Sequence, residues 1–232
     1  MSTKTLRLAD KYDVTIYKRK GLKSVRLSVS PLTGVRLSMP YWVSYKYGEN
    51  FLYRQLDFIK IHYPNRRYIV DHQQIGKFHK IRFIQSDHLS TVKSKIINNE
   101  IIINLPLDCD LTEDKVQSIA KKYSIRALRD EAEIYLPKKL NNLSQTLNLP
   151  YKTVTIRQLK TRWGSCDSNK NISLNLFLMT LPDNLIDYVL IHELSHTKIL
   201  KHNSSFWSFV EQILPDYKHL KKEIKNFQPV LD

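Results

Sequence analysis

The chain has 232 residues, 42% of them apolar, and a formal net charge of +15. This composition belongs to folded globular proteins and argues against a disordered chain. No stretch approaches the roughly 18 consecutive apolar residues of a membrane span and the N-terminus lacks a signal-peptide run, so a cytoplasmic location is expected.

Val25, Leu27 and Val29 alternate with polar residues, as do Val35, Leu37 and Met39 after the turn at Pro31–Gly34. The pattern predicts a β-hairpin with one buried face. A helix over 43–63 follows, with Leu52, Leu56, Ile59 and Tyr63 at helical spacing and Pro64 at its end. Segments 78–84, 91–95 and 100–105 read as further strands. Of the Lys and Arg residues, 19 fall in residues 1–100 against 7 Asp and Glu; the counts for 101–232 are 18 and 15. A basic field of this kind concentrates polyanions, so nucleic acid is a candidate partner of the N-terminal half.

A second composition starts near Leu111, which puts the expected domain boundary between 110 and 111. Thr112 can cap a long helix, which Pro137 should kink or interrupt. Strands are expected at 153–159 and 172–178 around a polar turn at Asp167–Asn171. Thr180, Pro182 and Asp183 then form a helix start, with Thr180 as the cap. No internal repeat is legible. Cys109 and Cys166 lie far apart outside any CxxC pairing, which argues against a disulfide framework or a cysteine zinc knuckle.

The helix that begins there contains DYVLIHELSH, and its apolar residues Leu185, Ile186, Val189, Leu190, Ile191 and Leu194 surround it nearly completely. It is therefore a buried helix, yet it carries His192, Glu193 and His196. Histidines at i and i+4 share one face, so their imidazoles can converge on one cation, with zinc the natural choice. Glu193 lies beside that face, where its carboxylate can serve as general base toward water. His202, six residues beyond His196, is the preferred third ligand, swinging back where Asn203 permits left-handed backbone and Ser204 caps the next helix. Glu211, on that helix, is the rival. The HExxHxxxxxH spacing is that of metzincins, but Ile199 stands where they have glycine, and Met1, Met39 and Met179 all precede the motif, so there is no Met-turn.

RWGSC at Arg162–Cys166 reads as a loop or bulge around Gly164. Arg162 and Ser165 are candidate polar contacts near the site, Asn175 a candidate partner for a group behind it, and Tyr217 or His219 a candidate donor to oxyanion charge. Trp163 reads as a core residue and Cys166 as a packed thiol. Phe206, Trp207, Phe209 and Val210 read as a packing face under the metal site. His62, His72, His79 and His88 read as solvated surface groups.

Taken together, RWGSC, ISLN at Ile172–Asn175, Leu181–Pro182, DYVLIHELSH and the downstream HNSSFW resemble the YgjP-like family of predicted zinc metallopeptidases, with more distant similarity to WLM and SprT-like peptidases. The resemblance implies an α+β fold: a zincin-like catalytic half, with the HExxH helix next to a small antiparallel sheet, preceded by a β-rich N-terminal half with one helix. It further implies Zn2+ on His192, His196 and His202, with Glu193 catalytic and a peptide or protein as substrate. Two alternatives stay open, a metal-dependent hydrolase of nucleoside phosphates and a nucleic-acid-associated module with structural zinc.

Overall fold

The computed structural model describes residues 2–9, 11–30, 34–63 and 68–231; the expected turn residues Pro31–Thr33 and the helix-closing Pro64 lie outside them. Among the described residues the chain is α+β, with three small sheets and six α-helices. It divides into two compact units, Met1–Arg67 and Tyr68–Asp232.

In the first unit, β1 (Ser2–Leu8) and β2 (Tyr12–Arg19) precede the expected hairpin, now β3 (Arg26–Ser30) and β4 (Gly34–Pro40). Leu27 pairs with Leu37 and Val29 with Val35 across it. The sheet order is β1-β2-β4-β3, antiparallel at both edges and parallel between β2 and β4. Val14, Ile16, Val35 and Leu37 form one face, buried with Leu52 and Ile59. These last two belong to α1 (Tyr45–Arg54) and α2 (Leu56–His62), which replace the single helix expected over 43–63. The break is at Gln55, whose N–H is shared between the carbonyls of Phe51 and Leu52 and tightens the turn.

The second unit starts with β5 (Gln74–Ile75), β6 (His79–Ser86), β7 (Lys93–Ile97) and β8 (Glu100–Pro106), in the order β5-β6-β8-β7. This is the topology of the first sheet again, with the same antiparallel, parallel, antiparallel pairing. β4 and β8 even share the burial alternation that ends in two buried residues, the second a proline. A structural repeat therefore exists where the sequence shows none, because alternation and a terminal proline are all that the repeated strand requires.

The boundary between units falls 43 residues earlier than the composition change near Leu111 indicates. The physical reason is a shared core: Ile75, Ile81, Ile101, Ile103 and Leu105 are buried together with Val116, Ala120, Ala127 and Leu128. Those four belong to α3 (Asp114–Leu147), which carries Pro137 inside it without ending there. Leu136 and Leu140 on either side are fully buried, and their packing offsets the roughly 3 kcal/mol a mid-helix proline costs. The helix begins at Glu113 rather than on a Thr112 cap, and stops at Asn148, whose left-handed backbone returns its N–H to the last turn.

Glu131, also on α3, is buried and accepts hydrogen bonds from the backbone N–H groups of Lys77, Phe78 and His79 and pairs with His79 Nδ1 at 2.7 Å. His79 is thus a buried structural group and not the solvated histidine its polar neighbours indicate.

The third sheet is mixed rather than antiparallel. β9 (Thr153–Arg157) runs parallel to β11 (Asn171–Asn175), while β10 (Gly164–Cys166), expected as a loop, pairs antiparallel on the other side of β11. The polar turn at Asp167–Asn171 belongs to the β10–β11 hairpin, where Asp167 Oδ1 accepts from the N–H of Asn169 and of Asn171. β11 ends at Asn175 and runs into a 3-10 turn, Leu176–Thr180. Then come α4 (Asp183–His196), α5 (Ser204–Ile213) and α6 (Tyr217–Glu223). Neither expected hydroxyl cap is used: Thr180 donates to the Phe177 carbonyl, and Asn203, extended rather than left-handed, caps α5 by accepting from Phe206 N–H.

Candidate metal centre

α4 is buried on nearly every side, as its wrap of apolar residues requires, with Leu185, Ile186, Leu190 and Leu194 inaccessible to solvent. Its last turn presents His192 and His196 on one face, one turn apart. The chain leaves the helix at Thr197 and reaches the Asn203 cap of α5, which brings His202 back over the same face.

The three Nε2 atoms form a nearly equilateral triangle: 3.2 Å between His192 and His196, 3.1 Å between His196 and His202, and 3.0 Å between His202 and His192. Three imidazole nitrogens cannot all satisfy one another, since each neutral ring offers one acceptor nitrogen and one proton. A cation at the centre resolves the frustration. Tetrahedral zinc with bonds of about 2.0–2.1 Å would set its nitrogens roughly 3.3 Å apart, close to the edges observed. The donor set therefore fits zinc.

The surroundings hold the rings in the form that binds metal. His196 Nδ1 lies 3.1 Å from the Ile199 carbonyl, which takes its proton and turns Nε2 inward. Burial, with the neighbouring His196 and His202, pushes His192 down to about 3, so its ring stays neutral. Its Nδ1 is buried without a hydrogen-bond partner among the described residues. Phe206, fully buried, stacks on His196 at 4.5 Å and meets His192 and His202 edge-on.

His202 is exposed and sits on a loop, so something must fix its rotamer. Trp207 does so by stacking on it, with centroids 5.5 Å apart and planes 23° from parallel. Tyr217 stacks on Trp207 at 5.5 Å, and Lys221 Nζ stands 3.6 Å from the Trp207 centroid. The ring column runs from the third histidine through Trp207 to α6. The sequence marks Trp207 only as part of a packing face, and nothing in it singles out Lys221.

Glu193 is 5% exposed, and burial pushes its carboxyl up to about 8 against the lowering influence of Arg162. Across from this carboxyl lies β10, whose Gly164 leaves no room for a side chain: a Cβ there would stand 2.8 Å from Glu193 Cγ and Oε1. Burial and the charge of Glu193 push the Cys166 thiol up to about 11, an unreactive packed group. Tyr188, buried one turn before His192, is pushed up to about 12, again by burial first and Glu193 second.

The other candidates take different places. Arg162 is exposed, and with Ser165, Arg157 and Ser173 it lines a polar cavity of about 570 Å³ on the face of the β9–β11 sheet. Asn175 is wholly buried. Its Nδ2 donates to the carbonyls of Leu159 and Arg162, and its Oδ1 accepts from Phe177 N–H, so it holds the loop that carries Arg162 and Trp163. Trp163 packs on the core. The rival ligand Glu211 is instead exposed and paired with Lys218 at 2.8 Å.

A family model described as YgjP-like, metallopeptidase domain, matches residues 23–227. Two crystal structures of metallopeptidase zymogens are similar to part of the chain. One is abylysin of Pyrococcus abyssi, 30% identical with a TM-score of 0.35, covering 38% of this chain and 89% of that one. The other is jannalysin of Methanocaldococcus jannaschii, 21% identical with a TM-score of 0.34, covering 38% and 90%. No curated protein matches the chain.

Proposed function

Since this chain belongs to the YgjP-like metallopeptidases and is a metal-dependent hydrolase of that class, we propose that it cleaves peptide bonds with zinc held by His192, His196 and His202 and with Glu193 as general base. The observation that carries the reading is the triangle of Nε2 atoms with edges of 3.0–3.2 Å, set beside a buried carboxyl. In this reading the catalytic unit is zincin-like, with α4 as the active-site helix and β10 alongside it.

Zinc, when bound, supplies a Lewis acid that polarises the substrate carbonyl and makes water acidic. Glu193 takes the proton from the attacking water and returns it to the departing amine. Gly164, having no side chain, leaves free the space that the Glu193 carboxylate occupies. Tyr217, fixed by its stack on Trp207, is the candidate donor to the carbonyl oxygen as charge develops, and Arg162 and Ser165 are candidate substrate contacts.

The test pairs metal analysis with activity screens of the wild type, Glu193→Gln and His196→Ala. We expect peptide cleavage that a chelator abolishes, a Glu193→Gln protein that keeps zinc but loses about 10²–10⁴-fold in kcat, and a His196→Ala protein that loses both. Full activity in Glu193→Gln would sink the assigned role. Phosphate release from nucleotides without peptide cleavage would move the same site to phosphoester chemistry.

A further inference from the structure

Ten of the fifteen net positive charges fall on residues 1–67, which hold 14 lysines and arginines against 4 acidic residues. Their arrangement follows from strand register. In the first sheet the side chains at Val14, Ile16, Val35 and Leu37 point to the core, so the residues between them point to the opposite face. That face carries two cross-strand rows. One is Thr3–Tyr17–Ser38–Arg26, and the next is Thr5–Thr15–Arg36–Ser28. Arg7 and Arg19 continue the alternation at the two ends of the β1–β2 pair. Among the described residues the only acidic one on it is Asp13, opposite Arg7.

A solvated sheet face ordinarily mixes both signs of charge. Here, among the described residues, none of Arg7, Arg19, Arg26 and Arg36 has an ion-pair partner, and Arg36 Nε is buried with no hydrogen-bond acceptor. The guanidinium carbons of Arg36 and Arg19 stand 5.4 Å and 5.8 Å from the Tyr17 ring centroid. Immediately beyond β4, whose Pro40 is opposite Arg19, come Tyr41 and Trp42, 56% and 61% exposed and packed edge to face. The face is thus cationic and bears hydroxyls, with the Tyr17 ring in its middle and the exposed Tyr41 and Trp42 just past the end of β4.

We infer that this sheet face binds single-stranded nucleic acid. Arginines with no carboxylate partner among the described residues supply the phosphate contacts. The Tyr17 ring, its flanking guanidinium planes and Trp42 supply platforms for unpaired bases, which a duplex keeps stacked out of reach. Among the described residues the face offers no aliphatic side chain to insert into a bilayer. The inference is independent of the metal centre.

Full-length protein is titrated against labelled oligo-dT and oligo-U of about 20 nucleotides by fluorescence anisotropy. Binding is expected at about 50 mM salt, weakening roughly ten- to thirtyfold by about 200 mM, as neutralisation of about three phosphates requires. Tyr17→Ala should weaken it by about fivefold or more, the loss of one stacked base. The double variant Arg19→Glu/Arg26→Glu, at two exposed positions where folding is least disturbed, should weaken it by at least about tenfold with an unchanged Tm. Lys46→Glu/Arg54→Glu, the same charge change on exposed positions of α1, should leave it within about twofold. No binding at low salt would overturn the inference. So would a duplex of the same length, or vesicles of anionic phospholipid, binding at least as tightly, or the α1 variant losing as much as the sheet variant.

Discussion

Gly164 and Glu193 touch through space that any other side chain would fill: a Cβ on Gly164 would lie 2.8 Å from both Cγ and Oε1 of the buried glutamate. Neither partner has room to yield, since Glu193 is 5% exposed and Gly164 is paired with Leu174 of β11. Gly164→Ala is expected to cost about 1–3 kcal/mol of stability through overpacking. It should also displace the carboxylate and lower kcat while zinc stoichiometry stays at wild-type level. An alanine variant with unchanged kcat would show that β10 does not position Glu193.

Trp207 is expected to set metal affinity without touching metal. Because His202 is exposed and its ring is stacked on Trp207, Trp207→Ala frees the third histidine to leave the triangle. Loss of such a supporting group typically costs about 10–100-fold in metal affinity, and Trp207→Phe should recover most of it. Competition against a chromophoric chelator measures this, and equal affinities in wild type and Trp207→Ala would refute it.

Glu131 should be among the most sensitive stability positions outside the site. Its carboxylate gathers three backbone N–H groups and the His79 ring in a buried setting, so Glu131→Ala leaves all of them unpaired. A cost of about 3 kcal/mol or more is expected in urea unfolding, since each buried donor left unsatisfied costs about 1–3 kcal/mol. A loss under about 1 kcal/mol would mean that water replaces the carboxylate at little cost.

The start of α4 carries a pH-dependent tie. Asp183 receives a hydrogen bond from Lys77 at 2.9 Å and one from Tyr135 at 3.1 Å, and these, Lys77 first, hold its carboxyl below the ordinary carboxylate range. A carboxyl depressed in the folded state contributes stability above its unfolded pKa of about 3.9, and that contribution disappears as pH falls through the folded value. The side chain is 61% exposed, so solvent screening limits the effect to about 1 kcal/mol or less. Asp183→Asn should remove this part of the acid limb in thermal melts between about pH 5 and 2, with no difference in slope if the tie is absent.

Strand alternation in β3 and β4, the apolar wrap of α4 and the histidine spacing of HELSHTKILKH were legible because each depends on residues a few positions apart. Periodicity reports which face a side chain takes, and that is a local property. The same reasoning missed β1 and β2, whose alternation of Leu6 with Leu8 and of Tyr12, Val14 and Ile16 is interrupted by a charged turn. It misplaced His79 because its polar neighbours in sequence are not its neighbours in space, where Glu131 is 52 positions away.

By itself, then, the sequence determined a buried helix bearing two histidines and a glutamate on adjoining faces, and a third histidine within reach. Only the tertiary structure decided that Gly164 presses on Glu193, that Trp207 and Tyr217 brace His202, that β9 pairs parallel with β11, and that the arginines of the first sheet share one face. Each of these is a contact between segments separated by loops whose course no local pattern encodes. Packing of the whole core selects among the many registers and pairings that the same alternation allows.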